Sequence, residues 1–449
     1  MVRRREHQPG EGILNKLRIE YSDKAVTAWG GMKLMKNLVQ GTGILEVLRR
    51  LPIPLPGSNR GYDPVQVIES FWVSIWIGAS RFAHSGWLRY DTALGKIFGW
   101  RHVPSQSTFS RFFHRFSWKR NNAVFVPLQR WFFERLTFDN MTLDLDSSVV
   151  TRYGNQEGAK AGYNPQKPGR ASHHPLMAFM AEMRMVVNAW LRPGNTGALS
   201  NAVAFLDETF SILSGKRVGL VRADSGFFGQ SFLEYFETRK LHYVVAVKLF
   251  STIRTELFRQ SHWVRVKGGV DVMEWSCRLP GWSLARRMIA VRKNIDVLPK
   301  ATGKLLLFDL DESRYRYSVF VTDLDLPAEL VWNLYRDRAD AENRIKELKA
   351  DFGLKSFCLS RFFATEAAFR FIMVAYNLIS LFRQFVLKTK TQATLSTLRF
   401  KCFALGAWIK EHARQQILKI ALARERRGWL NGLFDITRTI TPKTTFSNA

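Results

Sequence analysis

The sequence predicts an α/β core set between two helical segments, and three observations predict it. Residues 1–135 space their apolar side chains at helical period, residues 141–323 hold most of the strand-like runs, and the helical period returns from Ala328 onward. The chain has 449 residues, 46% hydrophobic and 23% charged, which is ordinary for a globular chain and excludes a disordered or fibrous one. At roughly 150 residues per domain it is long enough for about three domains. No segment of 20 to 50 residues repeats itself, so solenoids and propellers are excluded.

The first segment opens its helices with local signals. Asp63-Pro64 places a capping carboxylate before a first-turn proline, and residues 64–83 follow at helical spacing. Pro104 then breaks the chain, Ser105 can cap, and Phe109, Phe112, Phe113 and Phe116 form one apolar stripe. Arg111, His114 and Arg115 lie off that stripe. A short helix, a break and a second basic helix fit a helix-turn-helix unit, and fit an ordinary helical hairpin equally well.

Residues 141–150, MTLDLDSSVV, change the period to that of a strand. A loop rich in Gly, Pro and Lys follows, then strand-like runs around 176–192 and a helix from about Ser200 to Ser214. VGLVRAD reads as a buried strand ending at Asp224, and LHYVVAVKL as another. Residues 251–320 read as almost all β, with a hairpin around Gly268-Gly269. The helical pattern then runs to a basic tail containing Arg424, Arg426 and Arg427. The apolar stretch Phe371 to Leu387 is interrupted by Asn377, Arg383 and Gln384, so it reads as a buried helix and not a membrane span.

Charge narrows the partner. Lys and Arg number 67 against 38 Asp and Glu, a net charge of +29. Such an excess repels itself in the folded state and fits a polyanionic partner, nucleic acid first and an anionic membrane surface second. Three cysteines, Cys277, Cys358 and Cys402, lie far apart without finger spacing, which predicts neither a zinc site nor disulfides and fits a reducing cytoplasm. The first residues, MVRRREHQPGEG, lack the apolar core of a secretory signal. His173-His174 lack further ligands at metal spacing and read as loop residues.

Three acidic positions stand out. Asp144 and Asp146 alternate along one strand, so they share a face. Asp224 ends a buried strand before Ser-Gly, where α/β sheets open onto a crevice. Taken singly, each is as readily a turn residue or a helix cap. The third comes from Tyr335-Arg-Asp-Arg338-Ala-Asp-Ala-Glu342-Asn-Arg-Ile-Lys-Glu-Leu-Lys349. At about 100° per residue, Tyr335, Arg338, Glu342 and Lys349 fall within roughly 60° on one helix face, while Asp337, Asp340 and Glu347 point elsewhere. Helical geometry alone leaves a solvated, ion-paired face open as the alternative.

Tyr335-x2-Arg338-x3-Glu342-x6-Lys349 resembles the Tyr-Arg-Glu-Lys signature of bacterial insertion-sequence transposases of the DDE type. Asp146 in Asp-Ser-Ser and Asp224 in Asp-Ser-Gly stand in the family's order, and the resemblance covers roughly residues 60–390. It implies an RNase H-like mixed sheet flanked by helices, with Asp146 on the first strand, Asp224 after the fourth and Glu342 on a late helix. The division it implies is a helical DNA-binding domain over 1–135, a catalytic core over 136–250 and 321–395, a β-rich insertion over 251–320, and a basic helical region over 396–449. The last insertion strand carries Tyr315 and Tyr317 where some relatives carry a base-holding tryptophan.

The chemistry explains why such residues are needed. A phosphodiester repels nucleophiles, and two divalent cations about 3.5–4 Å apart neutralise the attacking and leaving oxygens. Mg²⁺ takes hard oxygen ligands, so three carboxylates suffice, with Mn²⁺ able to substitute. By resemblance, Asp146 bridges both ions and Asp224 and Glu342 complete one sphere each. Asp144 is the rival first acid, and Asp146 is preferred because two hydroxyl residues follow it. Arg338 and Lys349 would grip phosphates, with Tyr335 beside them. Lys160, Lys167 and Arg170 read equally as a phosphate clamp or a solvated loop, and Arg111 and Arg115 as groove contacts.

The expected activity is to bind element ends, cut them and join the freed hydroxyls to target DNA. The partner is then double-stranded DNA, the chain acts as a homodimer on it, no membrane is involved, and the setting is the bacterial cytoplasm. A metal-dependent nuclease without strand transfer is one alternative, and a catalytically silent DNA-binding protein another. The three acids argue against the silent binder, because clustered carboxylates repel phosphates.

Overall fold

A computed structural model describes residues 19, 21, 23–58, 61–138, 140–266, 268–294, 315–389, 393–412 and 415–447. The opening MVRRREHQPGEG lies outside them. Nine strands form the central sheet and are labelled in chain order: β1 Met141–Ser147, β2 Leu176–Met180, β3 Met185–Trp190, β4 Val218–Ala223, β5 His242–Val247, β6 Val264–Arg265, β7 Val270–Cys277, β8 Arg286–Asn294 and β9 Tyr315–Thr322. Their spatial order is β6-β7-β8-β9-β5-β4-β1-β2-β3. β2 and β3 run antiparallel to their neighbours, whereas β4 pairs parallel with β1 and β5 parallel with β4. Parallel pairing requires crossovers, here including the helices Ala202–Ile212 and Gln230–Thr238, which is why β1, β4 and β5 read as buried apolar runs.

The stretch expected as a β-rich insertion continues this sheet. β9 pairs antiparallel with β5, Val244 opposite Thr322, and β6 to β9 extend the sheet outward from there. The hairpin at Gly268-Gly269 forms as the sequence predicts, with Val264 opposite Val272 and both glycines at positive φ. One part differs: Ser251–Arg259 is a helix burying Ile253 and Leu257. Its Thr252, Ile253 and Thr255 give it a strand-like composition, which the burial of an i, i+4 apolar pair overrides.

Seven helices matter for the site and are labelled α1 Pro64–Trp76, α2 Gln106–Phe113, α3 Trp118–Glu134, α4 Ala328–Arg336, α5 Ala339–Ala350, α6 Phe362–Leu381 and α7 Arg424–Thr439. α6 is the central helix, and it is apolar and long enough to cross a membrane, yet 89% of its apolar window is buried inside the fold. The polar interruptions flagged in the sequence each find a partner inside the fold, although Nε and Nη1 of Arg383 stay without a hydrogen bond. Asn377 clasps the backbone of β3, accepting from Val186 N–H and donating to its carbonyl, both at 2.8 Å. Arg383 pairs with Glu347, and Gln384 donates to the Met183 carbonyl. Buried amides and guanidiniums are tolerated only with such partners.

The caps expected at α1 and α2 are present: Asp63 accepts Val65 N–H at 3.0 Å and Ser105 accepts Thr108 N–H at 3.3 Å. α1 stops at Trp76, short of residue 83, where Gly78 takes φ +114. Phe109, Phe112, Phe113 and Phe116 are all buried, as the stripe predicts. Their partners reach across the chain: Phe113 meets Phe71 and Phe371, and Phe71 meets Phe357. The helical first segment therefore shares one continuous apolar core with the sheet and α6. The last region, expected to be helical, holds the hairpin Ala407–His412 with Gln415–Ile420 before α7. That hairpin is completed by Val26–Thr27, a pairing too distant in sequence for local pattern to show.

Candidate active site

β1 and β4 set the level of the first two acids. Leu145 pairs with Ala223, so Asp146 and Asp224 follow at the same height on neighbouring parallel strands, about 4.8 Å apart in sheet spacing. Ala246 of β5 lies level with them, since Val245 pairs with Ala223. Asp224 leaves the strand and accepts Gly226 N–H at 2.9 Å, which fixes its turn.

The third acid arrives on a tightened bend. α4 ends at Arg336 and α5 begins at Ala339, with Arg338, Asp340 and Ala341 bonded three residues back rather than four on the way through. Arg338 donates to the Tyr335 carbonyl at 3.0 Å and accepts from Ala341 at 2.9 Å. The narrower turn carries the Arg338 side chain inward. There it donates to the Leu145 carbonyl at 2.9 Å and meets Asp146 Oδ2 at 3.0 Å, while Glu342 lies 4.0 Å from its other nitrogen. Tyr335 packs its ring on Phe320 at 4.4 Å between centroids.

One pocket results, of about 520 Å³, with Asp146, Asp224, Tyr335, Arg338, Glu342 and Lys349 all on its wall. Sequence reasoning named these six. It missed Ser148, Gln166, Lys346 and Lys355, which share the wall. Lys346 is one turn from Glu342 and was legible by that spacing; Gln166 and Lys355 arrive on loops that carry no local signal. Arg111 and Arg115 line cavities on the helical segment away from this pocket, and Arg115 donates to the Leu55 carbonyl. Lys160, Lys167 and Arg170 are exposed on the loop that carries Gln166 to the pocket but are not on its wall.

Asp144 is accounted for elsewhere. It is fully buried, directly opposite Arg222, and takes both guanidinium nitrogens at 2.6 and 2.9 Å. Such a bidentate pair leaves Asp146 as the carboxylate of that strand facing the pocket. His173 and His174 hold backbone carbonyls, of Glu157 at 3.0 Å and Thr196 at 2.6 Å, and burial lowers both their pKa values. His173 ends the strand Ala171–His173 rather than lying in a loop, and His174 follows it.

Electrostatics mark Asp146. Burial pushes its carboxyl up to about 7; Asp224 and Glu342 push the same way, and Arg338 opposes them. Burial also lowers the Lys349 pKa, with Lys355 adding to the effect. An acid raised by burial and like charges, in a cleft among cations, is characteristic of a reactive site.

The sequence matches the family described as transposase DDE domain group 1 over residues 12–438. The chain belongs to the DDE transposases. None of the curated proteins matches it. Among solved structures it resembles the piggyBac transposase synaptic complex with hairpin DNA, determined by cryo-EM, at a TM-score of 0.42 and 13% identity, over 83% of this chain and 78% of that one. So distant a likeness carries no argument here.

DDE transposases generally use divalent metal ions, and the donor set of this transposase fits such ions. Three carboxylates, the hard oxygen donors such cations prefer, line one pocket, and one of them is held protonation-prone by burial and by the other two acids. Among the described residues no three His, Cys, Asp or Glu side chains stand close enough to share an ion as they are. Arg338 is the reason at Asp146, because it already occupies that carboxylate.

Proposed function

We propose that this transposase binds the ends of a bacterial insertion sequence, cuts them in a metal-dependent reaction and joins the freed 3′ ends to target DNA. The observation that carries this reading is the convergence of Asp146, Asp224 and Glu342 on one pocket whose other walls are cationic. A pure DNA binder gains nothing from carboxylates placed where phosphates must lie. The five-strand part β3-β2-β1-β4-β5, with its second and third strands antiparallel and its last two parallel, supports an RNase H-like core.

In this reading Asp146, Asp224 and Glu342 hold two Mg²⁺, with Mn²⁺ able to replace them. Bound there, the ions would activate the attacking hydroxyl or water and stabilise the leaving oxygen. The chain's own residues do the rest. Arg338 turns from Asp146 toward a phosphate, Lys346, Lys349 and Lys355 offset strand charge, and Tyr335 supports the backbone beside Arg338. The +29 charge brings duplex DNA to the protein, with Arg111 and Arg115 of the helical segment and Lys160, Lys167 and Arg170 contributing contacts. Two element ends call for two copies of the chain, a homodimer on DNA. The described cysteines are free thiols, which suits the bacterial cytoplasm.

The test is to incubate the purified protein with candidate element ends and Mg²⁺ and map the cleaved strands. Nicks at the 3′ ends followed by joined products support transposition. Cleavage without joining supports a nuclease, and metal-independent binding without cutting supports a silent binder.

A further inference from the structure

The loop between Val150–Thr151 and Ala171–His173 carries two tyrosines, Tyr153 and Tyr163, that stand 71% and 74% exposed. Their backbone is nevertheless pinned. Buried Asn164 donates to the Thr151 hydroxyl at 3.1 Å and accepts Lys167 N–H at 3.0 Å, tying the middle of the loop to the strand it leaves. Glu157 donates its N–H to the Ser360 carbonyl and accepts Phe362 N–H on its side chain, both at 2.8 Å. Gly162 sits so close to the Gly194 carbonyl that a Cβ would lie 2.1 Å from it, so the loop needs glycine to dock there. Two large rings are thus held out in water on a rigid support.

Exposed rings add nothing to the core, and their surroundings suggest what they meet. Lys167 places its ammonium 5.0 Å over the Tyr153 ring and donates to its hydroxyl. Lys160 and Arg170 are exposed on the same loop. The loop leaves the chain directly after Asp146-Ser-Ser and returns Gln166 to the acid pocket's wall. Aromatic faces interleaved with cations are the chemistry of single-stranded nucleic acid, where bases stack on rings and phosphates meet cations. Bases within a duplex stack on one another and offer their faces only where the strand is unpaired.

We propose that Tyr153 and Tyr163 form a stacking platform for unpaired bases of the strand held in the acid pocket, with Lys160, Lys167 and Arg170 on its phosphates. The platform rests on the reading of that pocket as the strand-cutting site. Its rigidity lowers the ordering cost of capture, because rings already in place lose little freedom on stacking.

The experiment measures binding of the full chain, without divalent metal, to two labelled probes: a short duplex with a central run of unpaired thymidines, and the same duplex fully paired. Wild type should prefer the opened probe. The double variant Tyr153→Ala, Tyr163→Ala should lose at least about ten-fold on that probe and less than about two-fold on the paired one, while Tyr153→Phe, Tyr163→Phe keeps the preference. An alanine variant that retains the preference overturns the platform, as does equal loss on both probes or loss in the phenylalanine variant. If wild type cuts and joins element ends with Mg²⁺ in parallel assays, such a result removes the platform alone. If wild type binds neither probe and cuts nothing, the platform and the cutting site fall together.

Discussion

At the residue scale the account turns on Asp146. Its carboxyl titrates near 7 in the folded chain against 3.8 unfolded, so between those values the folded state holds the extra proton. Stability from this group is therefore present at low pH and lost as pH rises from about 4 to about 7. In metal-free buffer, Asp146→Asn should remove that loss, leaving the variant up to a few kcal/mol more stable than wild type near neutral pH and about equal near pH 4. Melting curves across that range check it, and parallel pH slopes for the two proteins would contradict it. Glu347 teaches a different lesson. Its position off the Tyr335 face was legible, and with it the expectation that Glu347→Gln stays active. Its buried pairing with Arg383, and its acceptance of Leu395 N–H at 2.8 Å, were not, because both partners lie on later elements. Glu347→Gln should cost about 3 kcal/mol, read as a lowered melting temperature, since it strands a buried guanidinium. An unchanged melting temperature would show the pair to be dispensable.

At the element scale, α2 separates two roles on one short helix. Phe113 is fully buried against Phe71 and Phe371, whereas Arg111 is exposed on the opposite side. Phe113→Ala should destabilise the chain by about 3–5 kcal/mol. Arg111→Ala should weaken DNA binding and leave the melting temperature within the small range of surface changes. Binding isotherms and melts on both variants check the division; undiminished binding by Arg111→Ala would return α2 to a purely structural helix. Elements were legible where local signals decide them: capped α2, the glycine hairpin of β6 and β7, and the alternating acids of β1. They were obscure where distant partners decide, as at Ala407–Ile420, whose hairpin is completed by Val26–Thr27. The tight bend at Asp337–Arg338 was also invisible, although the face it serves was not.

At the scale of the whole molecule, one continuous apolar core joins the helical segment to the sheet that carries the acid pocket. The net charge of +29 implies many phosphate contacts, and affinity for duplex DNA should fall steeply along a log–log salt plot. A flat plot would mean that the charge serves something else. What the sequence could not show at this scale is that Lys355 and Gln166 join the wall around the acids, because both come from loops placed by tertiary packing. The central claim is that three carboxylates, and not an ion-paired helix face, make this pocket chemical. The most direct measurement compares Glu342→Gln with Asp337→Asn, an exposed neighbour off the pocket wall, for strand cleavage and joining with Mg²⁺ and for DNA binding without it. The account predicts that both bind like wild type and that only Glu342→Gln fails to cut and join. Robust cleavage by Glu342→Gln, or equal loss in both variants, would contradict it.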